Sequence, residues 1–305
     1  MRNLLIIICC ILVSVCAQAQ QAATFAQYAF NGLAINPGYA GSHDMLSVSA
    51  IARFQNAGLE GAPKTETFSV HSPLPKKNLA VGALFIKDGL GVINQTGAHG
   101  IAAYRIFFDN NEEHYLSFGM QFGSISYSAR YSDLAILDPT DPYFAQDIRQ
   151  SRFNVGAGLF YKTEQLYLGI SMPHMVNNAL DRDGKYATIR QTVPLLINGG
   201  YVFFISPILK YKPNFLFKVM DGRPVELDLN SSILLDDLLW VGVSYKLPSG
   251  LNLLTEFQVT DQLLLGYSYA MTRGALRNVD LGTHEILLNY RFKFFKYGVV
   301  SPRYF

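Results

Sequence analysis

His114-Tyr115-Leu116-Ser117-Phe118-Gly119-Met120-Gln121-Phe122-Gly123 is the stretch that decides the architecture. Leu116, Phe118, Met120 and Phe122 are apolar, and the residues between them are small or polar. A period of two describes a strand with one apolar face. The pattern recurs along the chain: Phe153, Val155, Ala157, Leu159 and Tyr161 oppose Asn154, Gly156 and Gly158, and Leu239, Val241, Val243, Tyr245 and Leu247 oppose Gly242, Ser244 and Lys246. Near the end, Ile286, Leu288, Tyr290, Phe292 and Phe294 oppose Glu285, Asn289, Arg291 and Lys293. Strands crossing a bilayer are about 9–11 residues long, and in lipid only a closed barrel satisfies their backbone. The charges opposite Ile286 and Leu288 then require a polar lumen.

Fourteen strands fit the chain, at about 46–55, 65–73, 78–88, 95–108, 113–127, 152–162, 165–172, 188–204, 207–219, 224–235, 237–247, 250–260, 262–272 and 283–294. The fold class expected is therefore all-β, a transmembrane outer-membrane β-barrel of about 14 antiparallel strands. The odd-numbered links 56–64, 89–94, 128–151, 173–187 and 273–282 are long, whereas 220–223 and Pro248-Ser249 are short. The even-numbered links, such as Pro75-Lys76-Lys77 and Thr163-Glu164, are short. Long outer loops and short periplasmic turns alternate in this way in outer-membrane barrels. The longest link, 128–151, carries Asp138-Pro139-Thr140-Asp141-Pro142-Tyr143 and serves either as a partner-binding surface or plug, or as a disordered outer loop.

The first residues are Arg2, an apolar run from Leu4 to Val13, and Ala17-Gln18-Ala19. This is the pattern of a secretory signal peptide over 1–19, too short in its apolar run to be a membrane anchor. A lipoprotein signal ending at Cys16 is the rival, disfavoured by Val15 where a small residue is wanted. Residues 20–305 then form one barrel domain, with 20–45 preceding the first strand and lying either in the lumen or against the rim. Cys9, Cys10 and Cys16 all fall in the signal, which excludes a disulfide framework or thiolate metal site in the remainder. Charged residues are 16% of the chain, against roughly a quarter in soluble domains. With 25 Lys+Arg and 23 Asp+Glu in no blocks, nothing points to nucleic acid as a partner.

The most specific segment is Gln27-Tyr28-Ala29-Phe30-Asn31-Gly32-Leu33-Ala34-Ile35-Asn36-Pro37-Gly38-Tyr39-Ala40-Gly41. With Gly61-Ala62-Pro63-Lys64-Thr65 and the ending Ser301-Pro302-Arg303-Tyr304-Phe305, it resembles the PorP/SprF family of type IX secretion system membrane proteins. Gly38 departs from an Ala common there, and Asn56-Ala57-Gly58 stands where a Trp is common. The resemblance implies an outer-membrane component of type IX protein secretion, assisting export or surface attachment of cargo, including gliding-motility adhesins, by protein–protein binding. The partners it implies are other secretion subunits, cargo C-terminal domains and a periplasmic peptidoglycan-linked protein, alongside outer-membrane lipid. Asn31, Asn36, Pro37, Tyr39, Ala40 and Gly41 are the motif residues and candidate partner contacts. Physically, Asn36-Pro37 favours an extended approach and a turn, so the motif either organises entry into the first strand, seals the barrel, or contacts a secretion subunit. Phe305 is either part of an assembly signal or the end of a structured tail, since Pro302 is poor strand material.

No catalytic, cofactor or metal residues are assigned, and the chain is read as non-enzymatic. The histidines His43, His71, His99, His114, His174 and His284 form no i,i+4 pair, and no Gly-x-Ser-x-Gly elbow or P-loop occurs. His71-Ser72, the nearest hint of a nucleophile and base, are adjacent in a strand and point to opposite faces. Gly82, Gly156, Gly158, Gly199, Gly200 and Gly242 lie within strands, where they relieve curvature, open the lumen or admit close backbone approach. Two rival functions share the wall pattern: an outer-membrane porin or channel for small or hydrophobic solutes, and a secreted soluble β protein.

Overall fold

The computed structural model describes residues 26–75, 78–134, 146–176, 179–180, 189–190, 193–247, 250–272, 279–292 and 304. The expected signal peptide, Asp138 to Tyr143, Pro248-Ser249, Lys293 and Phe305 lie outside them.

The wall strands are β1 (Leu46–Phe54), β2 (Lys64–Pro73), β3 (Leu79–Leu90), β4 (Ile93–Phe107), β5 (Tyr115–Ala129), β6 (Ile148–Lys162) and β7 (Leu166–Met172). They continue with β8 (Pro194–Tyr201, resuming at Phe203–Ser206), β9 (Leu209–Met220), β10 (Glu226–Leu235), β11 (Leu239–Leu247), β12 (Gly250–Gln258), β13 (Leu263–Ala270) and β14 (Thr283–Phe292). Each pairs antiparallel with its sequence neighbours, and β14 pairs with β1, for example Ala52 with Ile286, which closes a 14-stranded barrel.

Two expectations need correction. The strand expected from 188 begins at Pro194, because Ile189–Arg190 pairs instead with Ala179–Leu180 in a separate small ladder. Proline, lacking an N–H, is tolerated at a strand's first position. The link at 89–94 is not a long loop: Leu90 pairs with Ile93 around Gly91, whose φ is +55°. The strand ends that flank the other long odd links, 55–63, 130–147, 173–193 and 271–282, gather at one end, which marks it as the outer end.

The apolar faces point outward. Phe118 (48%), Val241 (46%) and Ile286 (52%) are exposed, whereas Ser117, Trp240 and Glu285 beside them are buried in the lumen. A membrane reverses the usual inside-out order, so these exposed side chains meet lipid. The lumen is not uniformly polar, however. Leu196, Leu216, Leu234, Leu264 and Leu287 also point inward, where they pack against the segment that precedes β1.

Candidate functional site

Residues 26–45 fold inside the barrel, entering β1 from the periplasmic end. Three short 3₁₀ turns, Tyr28–Phe30, Gly32–Ala34 and Pro37–Tyr39, form the segment. Its conformation is local chemistry: Asn36 is extended (φ −144°, ψ 114°), as a residue before proline must be, and Pro37 opens the third turn. The Asn36 side chain accepts the Gly38 N–H at 2.8 Å, satisfying a donor at the start of that turn.

The segment is fastened around the wall. On β14, the Glu285 carboxylate accepts the backbone N–H groups of Ala26 (3.0 Å) and Gln27 (2.9 Å), and Arg53 lies 3.4 Å from it. On β9, Asn214 accepts the Tyr28 hydroxyl at 2.7 Å. Ser69 on β2 donates to Asn31 at 3.0 Å, and Ser171 on β7 donates to the Ile35 carbonyl at 2.6 Å. Asn36 Nδ2 donates to the Leu159 carbonyl on β6 at 2.8 Å. The exit is held by Arg105, which donates to the Gly41 carbonyl (3.0 Å) and Asp44 (2.9 Å), and by Lys162, which donates to the Ser42 carbonyl at 2.8 Å.

Apolar packing supplies the rest. Phe30 meets Ile51, Leu234, Trp240, Leu264 and Leu287; Leu33, Tyr39 and Ala40 meet Ala80, Leu84, Phe160 and Tyr167. Burying a large apolar side chain is worth about 1.5–3 kcal/mol, and Tyr28, Phe30, Leu33, Ile35 and Tyr39 are all buried. A void of about 10 Å³ beside Tyr28, Gly32, Asn36 and Phe160 is close to the minimum that one water needs.

All six motif residues proposed as partner contacts, Asn31, Asn36, Pro37, Tyr39, Ala40 and Gly41, are thus buried in the lumen rather than displayed on a contact surface. The reason is that their polar groups are used internally: Tyr39 bonds His43 Nε2 at 3.0 Å and packs edge-on against Phe160 at 5.2 Å. Burial raises the Tyr39 phenol pKa, keeping it neutral. Gly41 adopts φ +78°, donates to His71 Nδ1 at 3.1 Å, and has no room for a side chain, since a Cβ would lie 2.6 Å from that of Ala80.

Wall glycines make the seat. A Cβ on Gly119 would fall 2.2 Å from the Pro37 carbonyl carbon, one on Gly158 2.1 Å from Asn36 Oδ1, and one on Gly266 2.2 Å from Gln27 Oε1. Close approach is what Gly158 provides here. The fold also makes histidine pairs invisible in the spacing: the His43 and His71 rings stand 5.0 Å apart, and those of His99 and His174 5.6 Å. No cluster of three or more metal-ligating residues occurs among the described residues.

At the periplasmic mouth, Lys212 lies 4.1 Å from the Phe30 ring centre and 4.4 Å from that of Trp240, and it donates to the Tyr304 carbonyl at 2.8 Å. Lys210, paired with Asp237, sits 4.9 Å from the Tyr304 ring. A C-terminal residue therefore shares the closure with the N-terminal segment.

At the outer end, β4, β5 and β6 are 15 residues each, against 9 for β1, β11 and β12. The β6–β7 ladder begins only at Ala157, and the Val155 carbonyl accepts the Met175 N–H at 2.8 Å, so Ile148–Phe153 pairs with β5 alone among the described residues and forms a tongue. Phe153 is 62% exposed there, with Arg149 and Arg152 exposed beside it.

Residues 17–290 match the family model for the type IX secretion system membrane protein PorP/SprF. The chain belongs to the PorP/SprF family. It is accordingly an outer-membrane component of type IX secretion. This PorP/SprF barrel is similar to the CymD monoaromatic hydrocarbon channel at 12% identity, over 89% of this chain and 95% of that one, with a TM-score of 0.51. It is also similar to the outer-membrane protein Omp33 of Acinetobacter baumannii, at 9% identity over 81% of this chain and 98% of that one, with a TM-score of 0.45. At such identities the likeness concerns the fold alone. No curated protein matches the sequence.

Proposed function

We propose that this PorP/SprF protein works as a plugged scaffold in type IX secretion, binding proteins through its two rims and carrying out no chemistry of its own. The outer loops and the β4–β6 tongue receive secreted cargo or a neighbouring secretion subunit, assisting export or surface attachment, gliding adhesins included. The periplasmic mouth, closed by residues 26–45 and Tyr304, meets a periplasmic partner, for which a peptidoglycan-linked protein is the candidate.

The observation that carries this reading is the fastening of the motif segment to β2, β4, β6, β7, β9 and β14 at once. A segment so bonded leaves the rims as the surfaces through which the barrel acts, and it disfavours the solute-channel alternative. The experiment is co-purification from detergent-solubilised outer membrane with mass spectrometry of the bound proteins. Shortening 130–147, or replacing Arg149, Arg152 and Phe153 together, is expected to remove secretion proteins or cargo from the eluate while the barrel still assembles. An unchanged set of bound proteins, together with steady single-channel conductance of the wild type in planar bilayers, would refute the reading.

A further inference from the structure

A groove of about 410 Å³ lies on the lipid-facing wall over β14, β1, β2, β3 and the edge of β4, two ladder levels along the strands. The register explains it. Leu288, Ala50, Phe68 and Phe85 are successive cross-strand neighbours at one level, and Ile286, Ala52, Glu66, Lys87 and Thr96 at the next level toward the outer end. Ala50 and Ala52 make a low floor between Ile286 and Leu288 on one side and the Phe68–Phe85 pair, 6.5 Å between ring centres, on the other.

Charge is placed at the outer end of this groove. Glu66 bonds Lys64 at 2.6 Å and stands opposite Lys87 in the ladder, so two cations flank one carboxylate. Lys64 also lies over the Phe54 ring at 5.3 Å. Charges on the lipid face of a barrel are costly near the midplane and tolerated near the interfaces, where they meet headgroups. The trio therefore sits at headgroup depth in the outer leaflet, with a surplus of one positive charge directly above an apolar channel.

We infer that the groove between Phe68–Phe85 and Ile286–Leu288 is a binding site for one acyl chain of a phosphorylated outer-leaflet glycolipid, whose phosphate is held by Lys64 and Lys87. The commitment to an anionic lipid rests on that charge complementarity. The low alanine floor supplies depth that Leu or Phe at those positions would fill.

Native mass spectrometry of the full chain in mild detergent tests this, with lipid A carrying its phosphates and its dephosphorylated form as probes. The wild type is expected to retain the phosphorylated probe roughly tenfold better than the dephosphorylated one, the scale of one lost charge-assisted contact. The Lys64→Gln/Lys87→Gln double variant should lose that preference, and Ala50→Leu/Ala52→Leu should lower adducts of both probes. Ala102→Leu, on the lipid face of β4, should change neither. Equal retention of the two probes by the wild type overturns the proposal without any variant having to fold. Adducts unchanged in assembled alanine variants, or a polypeptide in place of the glycolipid, also overturn it.

Discussion

Gly158 on β6 stands so close to Asn36 that a Cβ there would lie 2.1 Å from Asn36 Oδ1, while Asn36 Nδ2 bonds the carbonyl of the next residue, Leu159, at 2.8 Å. Wall and plug are therefore fitted to each other at one residue pair. Gly158→Val should force Asn36 off its seat, at an overpacking cost of about 1–3 kcal/mol. Trp240, the only tryptophan, lies 6.0 Å from Phe30 and reports on the segment. Acrylamide quenching of Trp240 should rise in assembled Gly158→Val barrels, and planar-bilayer conductance should appear. Unchanged quenching would show that the fit at Gly158 does not hold the plug.

The strand count and the outward apolar face were legible because a half-wet strand writes its environment at period two. The plug's position was also written, in a signal that is easy to pass over. Ile233-Leu234-Leu235, Leu263-Leu264-Leu265 and Ile286-Leu287-Leu288 break the alternation. Each middle leucine packs with Phe30 and Trp240 inside the lumen. Leu195-Leu196-Ile197 and Phe215-Leu216-Phe217 do the same around Tyr28 and Ile35. At these five places the unbroken triplet marks the level where the lumen is dry, whereas Phe203-Phe204-Ile205, exposed throughout, is a triplet without that meaning. What the sequence could not carry is the pairing of distant polar groups, such as Glu285 with Ala26, because such bonds leave no periodic trace.

Glu285 is the anchor at the start of the segment. Glu285→Ala leaves the Ala26 and Gln27 N–H groups without their acceptor and Arg53 without its carboxylate. Buried donors left unsatisfied cost roughly 1–3 kcal/mol each. Glu285→Gln keeps one acceptor oxygen and should cost less. The temperature at which the folded band converts on gels should fall in the order wild type, Gln, Ala. Equal temperatures for all three would exclude the anchor role.

Lys212 and Glu256, both buried near Trp240, are tested together. The Lys212 ammonium is enclosed by Phe30 and Trp240, and the buried Glu256 is the cross-strand neighbour of Trp240. Lys212→Met keeps most of the stem volume, removes a cation lying over two rings and, where the two charges act as a pair, leaves the buried Glu256 unopposed. Adding Glu256→Gln should restore much of the loss, giving a coupling energy well above the ~0.5 kcal/mol of independent sites. Additive effects in the gel-conversion temperature would mean the two charges do not act as a pair.

The base of the longest outer loop is tied by Asp147, whose carboxylate accepts the Ser132 N–H and hydroxyl, both at 3.0 Å. These bonds, that from the backbone N–H foremost, hold its pKa below the ordinary carboxylate value. Because the folded-state value is lowered, the tie is fully present above the unfolded value of about 3.9 and is lost as pH falls through the lower folded value. In detergent micelles, the Ser132 amide proton should therefore titrate with a midpoint below about 3.9 and stay constant from neutral pH down to that region. Asp147→Asn should abolish the transition and leave the barrel's gel mobility unchanged, since Asp147 is exposed. A midpoint at or above the free carboxylate value would show that Ser132 does not hold this group in solution.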